Sequence, residues 1–391
     1  MVFLTCALIG IGAWMAVNAK SIYDSDFHIF VPVWNFAPHL AGSVDYAISC
    51  AWILRGALLL FAILFVVDLS QSNRWLLRLW YTIGLVAGSI ALLGLLQKAT
   101  GAGMIFWQTA PPWGATTFFA TYYYHANAGA FLNLVWPLTA GLAIRAFTAR
   151  RHPAARAMWL SVFILTIAGV LANTSRVAQF IALLLLIAIC LRFGPALLRK
   201  IWRTEKGVAL AGAVAILLAL IALAQATHLE QPLNRWQSLG ERIPNDARWH
   251  ASRVALGALS DVGLFGFGPA TFRVVFPSYN GVAVQQVPGI WRFLHEDYLQ
   301  TVLEWGWLGS ILWALLFFGG IAVGVRSYKR YAPDWTPRRR LLQPFVIIAL
   351  IGVALHAMVD FPLQITSIQL YVATYLGLCW GSGFWNRRSE G

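Results

Sequence analysis

The chain has 391 residues, 59% of them hydrophobic and only 11% charged, whereas a soluble domain carries roughly a quarter charged residues. That deficit excludes a water-soluble globule, which would lack the polar surface to cover itself. A net charge of +14 could suggest nucleic acid, but most basic residues fall in short loops between apolar runs, so no nucleic-acid partner is expected.

In chain order, ten apolar stretches are predicted to cross a membrane: 1–17, 47–67, 76–97, 127–147, 157–174, 176–194, 207–226, 298–325, 343–359 and 362–384. Most approach the ~20 residues that span ~30 Å of hydrocarbon as a helix. The predicted fold class is all-α, a polytopic helical bundle of about ten transmembrane helices. The first stretch, Met1 to Val17, lacks a basic leader and a small-residue cleavage site. It reads as a short first span or the remnant of a longer N-terminus.

Orientation follows from Lys and Arg, which mark cytoplasmic loops. Arg74 and Arg78, then Arg145 to Arg156, then Arg192 to Lys206, then Arg326 to Arg340, and finally Arg387 and Arg388 fall at every second connection. The alternate connections are poor in basic residues. Both termini are therefore expected in the cytoplasm. One large outer loop, 227–297, separates an N-terminal set of about seven spans (1–226) from a C-terminal set of about three with a cytoplasmic tail (298–391). Within that loop, 247–260 is predicted to form a short helix along the membrane surface, with Trp249, Val254, Leu256 and Leu259 on its apolar face.

Three polar groups stand out, all predicted at the outer face. His295-Glu296-Asp297 opens span eight, followed on the same helix by Gly306 and Gly309. His is suited to proton transfer near neutral pH, while Glu296 and Asp297 fit helix capping as well as chemistry. Arg176, in the tight connection between spans five and six, and Arg248, opening the loop helix, suit multidentate phosphate recognition. Arg273 and Arg292 of the same loop are read as touching lipid headgroups or pairing with Glu241, Asp246 or Asp261. His356 and Asp360 are predicted to share one helical face at the end of span nine.

Other signals are discounted. Gly266-Phe267-Gly268-Pro269 lacks the context of a nucleotide loop and reads as a turn. Asp24 and Asp26 form a lone acidic pair. Cys6, Cys50, Cys190 and Cys379 have no metal-ligand spacing, and Arg55, inside span two, is given no role. No metal and no cofactor are expected.

His295-Glu296 followed at fixed spacing by Gly306 and Gly309 resembles the signature of bacterial O-antigen ligases. The resemblance extends over roughly 120–384, through Ser175-Arg176 starting a span, Arg248 before Gly266-Phe267-Gly268, and His356 to Phe361. Asn127, just after His125, is similar to an outer-loop Asn of the O-antigen ligase and polymerase superfamily. Glu296 stands where Asn, Ser or Gln is usual.

The resemblance implies a multi-pass glycosyltransferase of the bacterial inner membrane, acting on the periplasmic face without a metal and with inversion. Its donor would be a glycan on undecaprenyl pyrophosphate, its acceptor lipid A–core or a growing polysaccharide, and its surroundings membrane lipids. His295 would be the base, oriented by Asp360 or Glu296, with Arg176 and Arg248 on the donor pyrophosphate. His356, Asn127, His125, Gly306 and Gly309 would support them. Ligase, polymerase and protein O-oligosaccharyltransferase share these features. A flippase fits less well, because apart from Arg55 the charges are expected at the outer face.

Overall fold

The computed structural model describes residues 1–111, 117–149, 151–204, 236, 246–283 and 286–385. The predicted seventh span, 207–226, and the first part of the large loop lie outside the described residues. Among the described residues, seven helices are long and apolar enough to cross a membrane. They match predicted spans two to six, eight and nine, and the protein is a mostly helical multi-pass membrane protein.

The chain forms two compact units, each discontinuous in sequence. The first comprises 1–68, 242–324 and 357–383. It begins with α1 (Val2–Val17), an apolar helix of 16 residues. At 1.5 Å per residue this is shorter than a full crossing. The helix stops at Asn18, whose side-chain amide donates to the carbonyls of Ala37 and Ala41 at 3.0 Å. The segment that follows holds a small antiparallel hairpin, β1 (Ser21–Asp24) and β2 (Ile29–Pro32), paired from Ser21 with Pro32 to Asp24 with Ile29. The hairpin is an addition to the predicted all-α class. Asp24 turns its carboxylate onto the N–H groups of Asp26 and Phe27, so it closes the hairpin turn. Helix α2 (Tyr46–Leu69) completes this N-terminal part.

The second unit comprises 69–241, 325–356 and 384–391. It contains α3 (Asn73–Ala99), α4 (His125–Thr148), α5 (Pro153–Ala172) and α6 (Arg176–Thr204). Helix α4 is buried around nearly its whole circumference, with α3, α5, α6 and the later α10 (Pro337–His356) packed about it. Small residues make this possible, since without side-chain bulk backbones approach closely in a membrane. His152 caps α5, with Pro153 in the first turn, where its missing N–H costs nothing.

In the first unit, the described part of the large loop carries α7 (Ala247–Gly257) and α8 (Phe272–Gly281). The predicted short helix is present, continued by a 3₁₀ turn over Ala258–Ser260, but its apolar face is divided. Ala251, Ala255 and Ala258 pack into a core with Phe272, Phe276, Leu294 and Leu303, and Val254 and Leu259 lean on that core. Trp249 and Leu256 are exposed. The last helices are α9 (Asp297–Tyr331), which runs from the first unit into the second, and α11 (Thr366–Gly381) in the first. The last predicted span, 362–384, opens instead on a 3₁₀ segment at Pro362–Gln364, and α11 begins at Thr366.

One break in α9 shapes the first unit. Gly306 has φ 64 and ψ −173, which L side chains adopt at a steric cost. The segment 264–268 docks there. Phe267 and Gly268 donate their N–H groups to the carbonyls of Leu303 and Glu304, and Leu308 donates to Leu264. A Cβ on Gly306 would stand 2.3 Å from the Leu264 carbonyl oxygen. The Gly-Phe-Gly turn read from the sequence is thus a plug in a broken helix.

Candidate functional site

His295 is held from both sides. Leu294 before it is fully buried in the loop core, and its N–H donates to Gln300 Oε1 at 2.9 Å. After it, the Asp297 N–H donates to the Ala357 carbonyl at 2.9 Å. The Asp297 carboxylate, 1% exposed, accepts from the Leu363 N–H at 2.8 Å and the Gln364 side chain at 3.1 Å. These bonds fasten the start of α9 to the segment 357–364 that carries Asp360. His295 itself has φ 64. Such a conformation costs of order 1–3 kcal/mol in a non-glycine residue and persists where the surroundings fix it.

The imidazole meets Asp360, whose Oδ1 lies 3.1 Å from Nδ1. Asp360 is buried, and its Oδ1 also accepts the Phe361 N–H. The ring stands edge-on to Phe361 at 4.6 Å and to Trp291 at 5.6 Å. Arg248 reaches the second oxygen of Asp360 at 3.8 Å and Asp246 at 3.9 Å. It is carried by α7, whose N-cap is Asp246. A buried carboxylate therefore joins a histidine to an arginine, three residues far apart in sequence.

Of the two carboxylates expected to orient His295, Asp360 makes the contact. Glu296 accepts the N–H groups of Tyr298 and Leu299 and so caps α9. Burial pushes its carboxyl up from the usual range, and those two N–H bonds oppose the shift. The predicted His356–Asp360 pair is corrected. Helix α10 ends at His356, so Asp360 falls beyond the helix and does not share its face. His356 is buried in the second unit, whereas Asp360 belongs to the first.

The second unit holds the other predicted residues. The connection between α5 and α6 is Asn173-Thr174-Ser175, as tight as expected. Ser175 Oγ accepts the Ala178 N–H, and Asn173 accepts the Ser175 N–H. Arg176 opens α6, where a cation opposes the helix dipole. Nearby, Asn173 donates to the His125 carbonyl, and the His125 ring meets Thr117 at 3.0 Å. Asn127 is buried, and its Oδ1 has no partner among the described residues.

Sequence reasoning missed Glu304. About two turns into α9, it is 3% exposed and accepts the N–H groups of Ala270 and Phe272 and the Gln300 amide. Glu304 lies within predicted span eight, 298–325, as Arg55 lies within span two. A carboxylate in an otherwise apolar helix was the available signal. Among the described residues, no group of three or more His, Cys, Asp or Glu side chains is gathered to hold a metal ion.

A half-buried histidine and arginine meet on a buried carboxylate at the start of a long apolar helix, in a multi-pass helical membrane protein. Residues 161–314 match the family described as O-antigen ligase, which supports the O-antigen ligase and polymerase superfamily that the motifs resemble. Members are glycosyltransferase-like ligases and polymerases. The matched stretch includes Arg176, Arg248, His295, Gly306 and Gly309. His125, Asn127, His356 and Asp360 fall outside it. No curated protein matches the chain.

Proposed function

We propose that the protein transfers a glycan from undecaprenyl pyrophosphate to a sugar hydroxyl, on lipid A–core or a growing polysaccharide. The proposed displacement is metal-independent and inverting, at the periplasmic face of the bacterial inner membrane. The observation that carries this reading is the 3.1 Å contact between His295 and Asp360. An Nδ1–H donated to Asp360 leaves the ring lone pair on Nε2. There it takes the acceptor proton as the hydroxyl oxygen attacks the anomeric carbon from the face opposite the phosphate. The bond from that carbon to the phosphate oxygen breaks. Its electron pair leaves with the polyprenyl pyrophosphate, and Asp360 stabilises the imidazolium.

Arg248 is assigned to the charge growing on the leaving pyrophosphate. One-third of its side chain is exposed, so its planar fork can meet a ligand while Asp360 holds one end. For Arg176 the support is internal to its own unit. An arginine at a helix N-terminus and the backbone N–H groups there both favour an oxyanion, so we assign it donor phosphate binding as well. Asp360 takes the orienting role, and Glu296 keeps the helix cap. Asn127, His125 and His356 are proposed as supporting polar residues of the second unit. Gly306 and Gly309 support the first through backbone shape.

The same reading includes ten crossings, cytoplasmic termini and a periplasmic loop over 227–297, between membrane sets 1–226 and 298–391. The alternating basic loops support it. The test of function is the surface glycan of a deletion strain. Core without polymer, together with accumulated lipid-linked polymer, is the ligase result. Core bearing a single repeat means polymerase, and unglycosylated secreted protein with normal surface glycan means protein O-oligosaccharyltransferase. Unchanged glycans of every kind would contradict the proposal.

A further inference from the structure

Asp297, Gln300 and Glu304 follow one another along α9 at intervals of three and four residues, so they share one face of the helix. None is more than 3% exposed. Each fastens a different segment. Asp297 holds Leu363 and Gln364. Gln300 accepts the Leu294 N–H at 2.9 Å and donates its amide to Glu304 Oε1 at 3.0 Å. Glu304 in turn accepts the Ala270 N–H on Oε2 at 3.1 Å and the Phe272 N–H on Oε1 at 3.3 Å, and Arg55 of α2 attracts the same carboxylate. These bonds set the orientation of the Gln300 amide. Glu304 accepts from all three groups, so Gln300 turns its NH₂ toward the carboxylate, and its oxygen is left for Leu294. A flipped amide would set its NH₂ against the Leu294 N–H and its oxygen against Glu304, leaving buried polar groups unpaired.

Leu294 immediately precedes His295, whose backbone stands at φ 64, a conformation that persists only where the surroundings fix it. Ala270, at the other end of the bond sequence, has φ 62. One pair of buried side chains therefore ties down the approaches to two strained residues. We propose that Gln300 and Glu304 are positioning residues for His295, the relay from Glu304 through Gln300 to Leu294 holding its backbone so that the ring stands against Asp360. Asp297, on the same face, holds the segment that carries Asp360. Both halves of the His295–Asp360 contact are thus set from one side of α9. This role rests on His295 being the base of the transfer proposed above.

The test is single-turnover transfer, with lipid-pyrophosphate binding, on the full chain in detergent. Gln300→Met keeps the length of the side chain and removes both hydrogen bonds. It should lower the rate constant by about ten-fold or more, since a small misplacement of a reacting group costs on that scale. Donor binding and the reaction amplitude should not change, whereas a structural role alone would lower the amplitude and keep the rate constant. Gln300→Ala makes the same cut with room for water, should the thioether not fit. In the His295→Asn background, Gln300→Met should have no further effect, because the group it positions is gone. The double variant Gln300→Glu with Glu304→Gln exchanges donor and acceptor between the two side chains and keeps an oxygen for the Leu294 N–H. It should recover most of the rate lost in Gln300→Met. Wild-type rates in Gln300→Met and Gln300→Ala, beside a slow His295→Asn, would overturn the relay. So would an equal slowing by Gln300→Met with and without His295, or a double variant no faster than Gln300→Met. A wild-type rate in His295→Asn itself would remove the base, and the relay with it.

Discussion

His295 was legible in the sequence as a histidine at a helix mouth, and Arg248 as an arginine opening a loop helix. Their link was not, because Asp360 lies 65 residues beyond His295 and no local spacing records that contact. The i, i+4 rule paired Asp360 with His356 instead, and it failed because α10 stops at His356. The link predicts separable effects. Asp360→Asn keeps the shape but removes the charge that stabilises an imidazolium. It should slow single-turnover transfer by about 10²-fold or more, within the range of acid–base catalysis. Lipid-pyrophosphate binding should change little, and wild-type turnover in this variant would remove Asp360 from the mechanism. Arg248→Ala and Arg176→Ala should each weaken donor binding or turnover by about ten-fold or more, since a charged hydrogen bond contributes ~1.5–3 kcal/mol. Lys should restore them only in part, because an ammonium keeps the charge and loses the planar fork. Normal binding and turnover in both alanine variants would return these arginines to headgroup contacts.

Helices are where hydropathy reads best. Seven of the ten predicted spans recur as long apolar helices, because ~20 apolar residues leave the backbone few other ways to satisfy its polar groups in a membrane. What hydropathy does not register is a break inside such a helix. Gly306 was read as part of a spacing motif, whereas its conformation admits the 264–268 segment against α9. The surface helix was read from its apolar residues, yet small alanines form its packed face, since a close-packed core favours fit as well as hydrophobicity. Gly306→Ala should therefore lower stability severely, by more than about 2 kcal/mol, because positive φ and a backbone clash act together. Gly309→Ala should be milder. Its Cβ would meet the Trp305 Cβ at 2.8 Å, but Gly309 does not share the positive φ of Gly306, so a contact acts there without the backbone strain. Thermal unfolding of both variants in detergent checks the order, and equal midpoints would contradict the docking role of Gly306.

For the whole molecule, the alternation of basic loops predicts an orientation across the membrane. A reporter fused after Lys200 or Arg339 should read cytoplasmic, and one fused near Ser278 periplasmic. A cytoplasmic signal at Ser278 would put His295 in the wrong compartment for a lipid-linked glycan. The proposed chemistry rests most directly on His295 acting on the acceptor alone. His295→Asn is the sharpest variant, because asparagine tolerates the left-handed backbone found there and removes the imidazole. The measurement is donor binding and single-turnover transfer on the same folded, detergent-solubilised protein in excess EDTA. The expected result is wild-type protein that transfers glycan under these conditions, and a variant that binds the lipid-pyrophosphate donor normally but transfers ~10²–10⁴-fold more slowly. A variant that transfers at the wild-type rate would contradict the assignment of His295 as the base.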